Sequence, residues 1–363
     1  MSDIFDYLKW RGDLSFSQDS LNNIDAMILS RLSYLPFEHV VPESFDQSVS
    51  LEFAALAFSP VESRDDILWK QDPRLLKAVA KCPRFKSIRA SGYVNNIDYD
   101  SKMQFAALVF DLENGVRFVS FRGTDSSFIG WQEDFNMFTS ITLPSQLRAL
   151  KYFEQAAQNT GSRFMLGGHS KGGNLALYSA MNCVRSIREK IDAVYNFDGP
   201  GFHRELIGSE QFEDIRALVH SFVPQSSVFG MMLEHDEDFS IVKSKNKSFM
   251  QHDVYSWQVE ANDFVYLERR TNSSYFISHT LDGFLERMTY EEKENFTRAF
   301  FTVLESTDNT RFKEIQKAPF SSSASMLRAL KRLGKDKRSA LGKAIIKALS
   351  SAKENISDII PNK

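Results

Sequence analysis

From Ser20 to Leu35 the apolar residues Leu21, Ile24, Met27, Ile28, Leu32 and Leu35 recur at three- and four-residue steps, the mark of an amphipathic helix. Shorter helices are predicted over 50–58 and 63–80. The period then changes: Phe85–Asn95 and Gln104–Leu112 are rich in β-formers, and Asn114-Gly115 ahead of Val116–Phe121 predicts a hairpin. A polar stretch follows Gly123, then a helix near 143–159. The apolar run Phe164-Met165-Leu166 predicts a strand, 174–187 a helix, and Ala193–Phe197 and Leu218–Val223 two further strands. Residues 275–305 read as helical. Strand, turn and helix alternating in this way predict an α/β fold, a mostly parallel central sheet flanked by helices, with the antiparallel hairpin toward one edge. No repeat of solenoid length is present.

Composition narrows the class. The chain has 363 residues, 42% of them hydrophobic and 25% charged, which excludes a disordered or fibrous protein. Two cysteines, Cys82 and Cys183, cannot build a disulfide framework and fit a reducing compartment. The opening Met1-Ser2-Asp3-Ile4-Phe5-Asp6 carries acid where a secretory leader needs Lys or Arg, and no window offers the roughly 18 apolar residues of a spanning helix. A cytoplasmic protein is the expectation.

Charge divides the chain. Residues 311–363 hold 13 Lys/Arg against 4 Asp/Glu, a balance of +9, which leaves 31 basic and 43 acidic side chains, or −12, for residues 1–310. The expected organisation is a globular domain over 1–310 and a basic amphipathic or flexible tail over 311–363. Ser321-Ser322-Ser323 marks the linker, and Met326, Leu327, Leu330 and Leu333, then Leu341, Ile345, Ile346 and Leu349, sit at helical spacing among lysines. Such a tail suits an anionic membrane surface. It has no aromatic residue after Phe320 on which bases could stack, so nucleic acid is not an expected partner.

The strongest chemical signal is Gly168-His169-Ser170-Lys171-Gly172. A serine hydroxyl is a weak nucleophile and must be exposed on a sharp strand-to-helix turn, beside a base and near oxyanion donors. Such a turn excludes bulk two positions to either side of the serine, which Gly168 and Gly172 satisfy. An apolar strand precedes the motif and a helix follows, and the helix N-terminus favours negative charge there. The competing reading is a Gly-rich turn cradling phosphate, but the spacing of a phosphate-binding loop is missing. Earlier in the chain, Phe118–Phe121 runs into Arg122-Gly123-Thr124-Asp125, a strand ending in a Gly turn. The loop after such a strand donates one backbone N–H to an oxyanion, partnered by the residue after the nucleophile. Thr124, with its hydroxyl as a further donor, and Lys171 are therefore the expected oxyanion donors. Otherwise Gly123 only closes a turn.

The base must accept and return a proton near neutral pH, so it must be histidine. Downstream of Ser170 stand His203, His220, His235, His252 and His279. The chain order of nucleophile, acid, base and the polar loop Gln251-His252-Asp253 favour His252. His235 sits in an acidic stretch that reads as a solvated face, and His220 reads as a sheet or core residue. For the acid, Asp198 lies directly after a predicted strand, in Asn196-Phe197-Asp198-Gly199-Pro200-Gly201-Phe202, where such sheets keep functional side chains. The competing reading, a side chain that only caps its own turn, is the weaker one, and Asp236 and Asp238 stay open as alternatives. Phe229, Met231, Met232 and Leu233 read as core sooner than as an acyl site or a lid.

Phe121-Arg122-Gly123-Thr124, Gly168-His169-Ser170-Lys171-Gly172-Gly173-Asn174 and Phe197-Asp198-Gly199-Pro200-Gly201-Phe202 together resemble the Mbeg1-like family of bacterial proteins, itself similar to class 3 lipases of the α/β-hydrolase fold. Asp6-Tyr7-Leu8 and Ser30-Arg31-Leu32-Ser33-Tyr34 extend the resemblance over about 1–310. It implies an α/β-hydrolase-like serine hydrolase of lipase or esterase type, with Ser170 as nucleophile, Thr124 and Lys171 as oxyanion donors, His252 as base, and no cofactor or metal. Class 3 lipases often carry their acid near a Val-Pro pair. Here Val223-Pro224-Gln225-Ser226-Ser227 has no carboxylate, whereas a strand-end Asp resembles that of pancreatic-type lipases and favours Asp198. The expected substrate is an acyl ester or lipid. The alternative is a catalytically silent hydrolase-fold protein that binds membranes through its basic tail.

Overall fold

The computed structural model describes residues 2–58, 67, 69–112, 115–305 and isolated positions between 328 and 351. The described chain forms two compact units. The first comprises Met1–Asn96, Phe105–Gly123 and Pro144–Arg270; the second comprises Ile97–Gln104, Thr124–Leu143 and Thr271–Lys363. The division expected near residue 310, and the tail positions Met326, Leu327, Leu330, Leu333, Leu341, Ile345 and Leu349, lie outside the described residues.

The strands are β1 (Val49–Ser50), β2 (Arg89–Asp98), β3 (Met103–Asp111), β4 (Val116–Phe121), β5 (Arg163–His169), β6 (Ile191–Phe197), β7 (Val219–Pro224), β8 (Phe239–Val242), β9 (Val259–Glu260), β10 (Asp263–Phe264) and β11 (Tyr266–Leu267). Among the described residues, nine of them form one sheet in the order β1-β2-β3-β4-β5-β6-β7-β8-β11, and β9 pairs with β10 apart from it. From β4 to β8 every pairing is parallel. β3 and β4 form the expected antiparallel hairpin, and β11 closes the far edge antiparallel to β8.

The helices are α1 (Ile4–Arg11), α2 (Asn23–Leu32), α3 (Leu51–Ala57), α4 (Gln71–Val79), α5 (Pro83–Lys86), α6 (Phe128–Asn136), α7 (Pro144–Ala156), α8 (Lys171–Asn182), α9 (Arg185–Arg188), α10 (Arg204–Ile207), α11 (Glu210–Arg216), α12 (Asn272–Glu286) and α13 (Tyr290–Glu305). Successive residues of a strand face opposite sides of a sheet. At Gly167 of β5 the open side looks onto Ser30 of α2, and at Gly168 it looks onto Gly172 of α8. Helices α2 and α8 therefore cover opposite faces. This is the expected α/β arrangement: a mostly parallel sheet flanked by helices.

Several local expectations are corrected. Phe85 belongs to α5, because Pro83 opens a helical turn, and β2 begins only at Arg89. The polar stretch after Gly123 contains α6, whose N-terminus is capped by the Ser127 side chain accepting from Gly130 N–H. The single helix expected over 174–187 is two, α8 and α9, parted where Cys183 turns extended. Strand β8 is an addition to the expected elements; only four residues long and partly exposed, it lacks a readable apolar run.

The main core of the first unit gathers α1, α2 and the sheet around Phe118, Tyr195, Phe197 and Trp257. Helix α2 starts with a capping box: the Asn22 side chain accepts from Asp25 N–H and the Asp25 carboxylate accepts from Asn22 N–H. In the second unit Phe128 of α6 packs with Phe301 and Leu304 of α13, with Phe135 and Phe300 against them. No helix among the described residues is long and apolar enough to cross a membrane.

Candidate active site

Strand register brings the chemistry together. Phe121 of β4 pairs with Gly168 of β5, His169 with Phe197 of β6, and Phe197 with Phe222 of β7. Parallel strands in that register end at one edge, so Gly123, Ser170 and Asp198 leave the sheet side by side. Open α/β sheets keep their functional side chains at this edge.

Ser170 lies between β5 and α8 with φ 58° and ψ −136°, a conformation that L-residues rarely adopt. Holding it there costs about 1–3 kcal/mol, which the surrounding turn supplies. The Ser170 N–H donates to Phe197 O at 2.9 Å, and its carbonyl accepts from Gly173 N–H at 2.9 Å. The turn is tight enough to exclude side chains on both flanks. A Cβ on Gly168 would lie 2.2 Å from the Gly172 carbonyl carbon, and one on Gly172 would lie 2.2 Å from Phe121 O. Among the described residues the half-buried Ser170 hydroxyl has no hydrogen-bond partner.

Asp198 also stands at positive φ, 54°, at the end of β6, and is 1% exposed. Its carboxylate is fully employed: Oδ1 accepts from Ser227 Oγ at 2.5 Å and Gly230 N–H at 3.2 Å, while Oδ2 accepts from His252 Nδ1 at 2.6 Å. The Asp198–Gly201 turn is tied to α8 by Asn174, whose Nδ2 donates to Pro200 O at 3.1 Å and Gly201 O at 2.8 Å. Asn174 in turn accepts from Gln146 Nε2 at 2.8 Å. Sequence reasoning misses these two tethers. Their only trace in the sequence is that Asn174 closes one motif and Pro200-Gly201 lies in the other.

His252 is partly buried, with Phe229 at a ring-centroid distance of 4.5 Å and His169 at 4.4 Å. Phe229, Met231, Met232 and Leu233, expected in the core, are only half-buried. His169, singled out only as part of the serine motif, is 3% exposed; its Nδ1 meets Tyr34 Oη at 3.0 Å and its Nε2 meets His252 O at 2.8 Å. Burial holds its pKa well below the ordinary histidine range, and the neighbouring His252 lowers it further.

The other candidates fall elsewhere. Asp236 pairs with Arg216 at 3.2 Å and Asp238 is exposed, so neither is the carboxylate on His252. His235 is no solvated face: it is 10% exposed and its Nδ1 lies 3.0 Å from Glu237 Oε1, which also accepts from Ser221 Oγ. His220 lies on β7, its ring 5.1 Å from that of Tyr195. Lys171 begins α8, directly after Ser170. Thr124 directly follows Gly123, where a Cβ would come within 3.0 Å of Ser170 Cβ. The Thr124 hydroxyl donates to Asp134 Oδ2 at 2.6 Å and is spent on that contact. No group of three or more His, Cys, Asp or Glu among the described residues could hold a metal ion.

A family model described as Mbeg1-like matches residues 79–302. Among solved structures, the chain is similar to a mutant of MDLA from Penicillium cyclopium, at 14% identity over 67% of this chain and 83% of that one, with a TM-score of 0.36. No curated protein matches it.

Proposed function

The chain belongs to the Mbeg1-like family, and from that premise we propose that it is a serine hydrolase that cleaves acyl esters. The observation that carries the reading is the 2.6 Å bond between His252 Nδ1 and Asp198 Oδ2, formed beside a serine held at φ 58° on a strand-to-helix turn. A buried carboxylate on Nδ1 selects the tautomer in which Nε2 carries the free lone pair. A carboxylate serving only to cap its own turn would not need the imidazole.

In this reading Ser170 Oγ attacks the ester carbonyl carbon and its proton passes to His252 Nε2. The N–H groups of Lys171 and Thr124 hold the oxygen that becomes negative, and the positive end of α8 adds to them. Collapse of the tetrahedral adduct breaks the bond to the alcohol oxygen, which takes the proton from His252. Water then repeats the sequence on the acyl-enzyme and frees the acid. Asp198 keeps its charge throughout and stabilises the imidazolium. The half-buried Phe229, beside the His252 ring, suits an apolar acyl chain.

The test is covalent. A fluorophosphonate probe is expected to label the wild-type protein and to leave Ser170→Ala unlabelled. Labelling that persists in Ser170→Ala would overturn the assignment.

A further inference from the structure

The motif Ser30-Arg31-Leu32-Ser33-Tyr34 belongs to no step of that chemistry, yet it is connected to the site. Tyr34 follows α2 and is 3% exposed. Its hydroxyl lies 3.0 Å from His169 Nδ1 and 3.1 Å from His169 O, and His169 Nε2 lies 2.8 Å from the His252 carbonyl oxygen. A carbonyl can only accept, so His169 Nε2 carries the proton; in the neutral ring that burial favours, Nδ1 is an acceptor and shares the single Tyr34 hydroxyl proton with the His169 carbonyl. The face of Tyr34 is covered by the Arg31 guanidinium, 3.8 Å from the ring centroid. Arg31 is locked to Asp72 of α4 by two bonds, of 2.6 and 2.8 Å, and Asp72 also accepts from Tyr255 Oη at 2.7 Å. Tyr255 stands three residues after His252. The segment from His252 to Tyr255 is thus gripped at both ends, by His169 on the carbonyl of one and by Asp72 on the hydroxyl of the other.

We propose that Tyr34 and His169 are positioning residues that fix the His252 backbone, so that its imidazole is held toward Ser170. The proposal rests on the serine-hydrolase reading. His252 sits in a loop that regular secondary structure does not hold: it ends a single 3-10 turn, and Asp198 fixes only its Nδ1. A side chain attached to an unanchored backbone would swing about that one bond. The neutral state of His169 serves the same end, because a charged imidazole 4.4 Å away would oppose the proton that His252 must take up. Misplacing a catalytic group by about 1 Å costs on the order of 100-fold in rate.

The test is steady-state hydrolysis of p-nitrophenyl butyrate by wild type, His169→Leu, His169→Gln and Tyr34→Phe, with fluorophosphonate labelling alongside. The side-chain amide introduced by His169→Gln keeps an N–H donor for the His252 carbonyl; His169→Leu leaves none. Expected are a fall in kcat of about 10- to 100-fold for His169→Leu with KM within about twofold, recovery of most of that loss in His169→Gln, and a smaller kcat loss in Tyr34→Phe. Wild-type kcat in folded His169→Leu, a loss confined to KM, or a glutamine variant no better than leucine would each overturn the positioning role. If His169→Leu does not fold, Tyr34→Phe decides: a lowered kcat supports the role and an unchanged one overturns it. Wild-type protein that shows no Ser170-dependent labelling overturns the hydrolase reading itself, a result separable from normal labelling with unchanged variant kinetics.

Discussion

At the residue scale, the two imidazoles at the site differ in what surrounds them. His252 has one edge on Asp198, whereas His169 is enclosed, with both nitrogens given to neutral partners. That enclosure makes folding respond to pH. A histidine whose folded pKa is lowered binds its proton more readily in the unfolded chain, so stability is full above the unfolded value of about 6.5 and falls as pH drops below it. Urea unfolding followed from about pH 7.5 to about pH 5 is therefore expected to show a declining midpoint, with a slope approaching about 1.4 kcal/mol per pH unit from this group. His220, lowered by burial as well, adds with the same sign. In His169→Gln the decline should be shallower. An identical slope in wild type and variant would show that His169 titrates alike in both states. The placement of Ser170 and Asp198 at strand ends was legible from their motifs. The contact of His169 was not, since a histidine ahead of a serine gives no sign of which carbonyl it will meet.

At the element scale, the decisive unit is the turn from β5 to α8. Its glycines answer to a neighbour distant in sequence, the end of β4, whose Phe121 carbonyl would lie 2.2 Å from a Cβ on Gly172. The offending atom is backbone in a central strand and cannot move aside cheaply. Gly172→Ala is therefore expected to cost about 2 kcal/mol or more, an overpacking penalty that thermal unfolding would read as a clear drop in Tm. Gly161, at whose Cβ position nothing lies within 4 Å, is the control, and its alanine variant should melt near wild type. Elements with a strong period, such as α2, α7 and the β3–β4 hairpin, could be read from sequence because their apolar stripes are long. Strand β8, helix α6 and the break between α8 and α9 could not: the first is too short, the second depends on one capping residue, Ser127, and the third on the extended backbone at Cys183.

At the scale of the whole molecule, charge is distributed unevenly, −12 over residues 1–310 and +9 over residues 311–363. A cationic segment with spaced apolar residues gains from an anionic lipid surface, and that gain is screened by salt. Full-length protein is expected to float with phosphatidylserine-containing vesicles at about 50 mM salt and to be released at about 500 mM, where the Debye length is only a few ångströms. Flotation that is equal on neutral vesicles, or absent at low salt, would remove the tail from the account. The alternation of strands and helices, the strand-to-helix turn at Ser170 and the charge division followed from local pattern alone, because periodicity and backbone constraint act between near neighbours in the chain. Which carboxylate meets His252, why Asn174 and Pro200-Gly201 belong together, and how Tyr34 comes to hold a loop more than 200 residues away were decided by parallel register and by burial. Those fix distances between segments that no spacing along the sequence encodes.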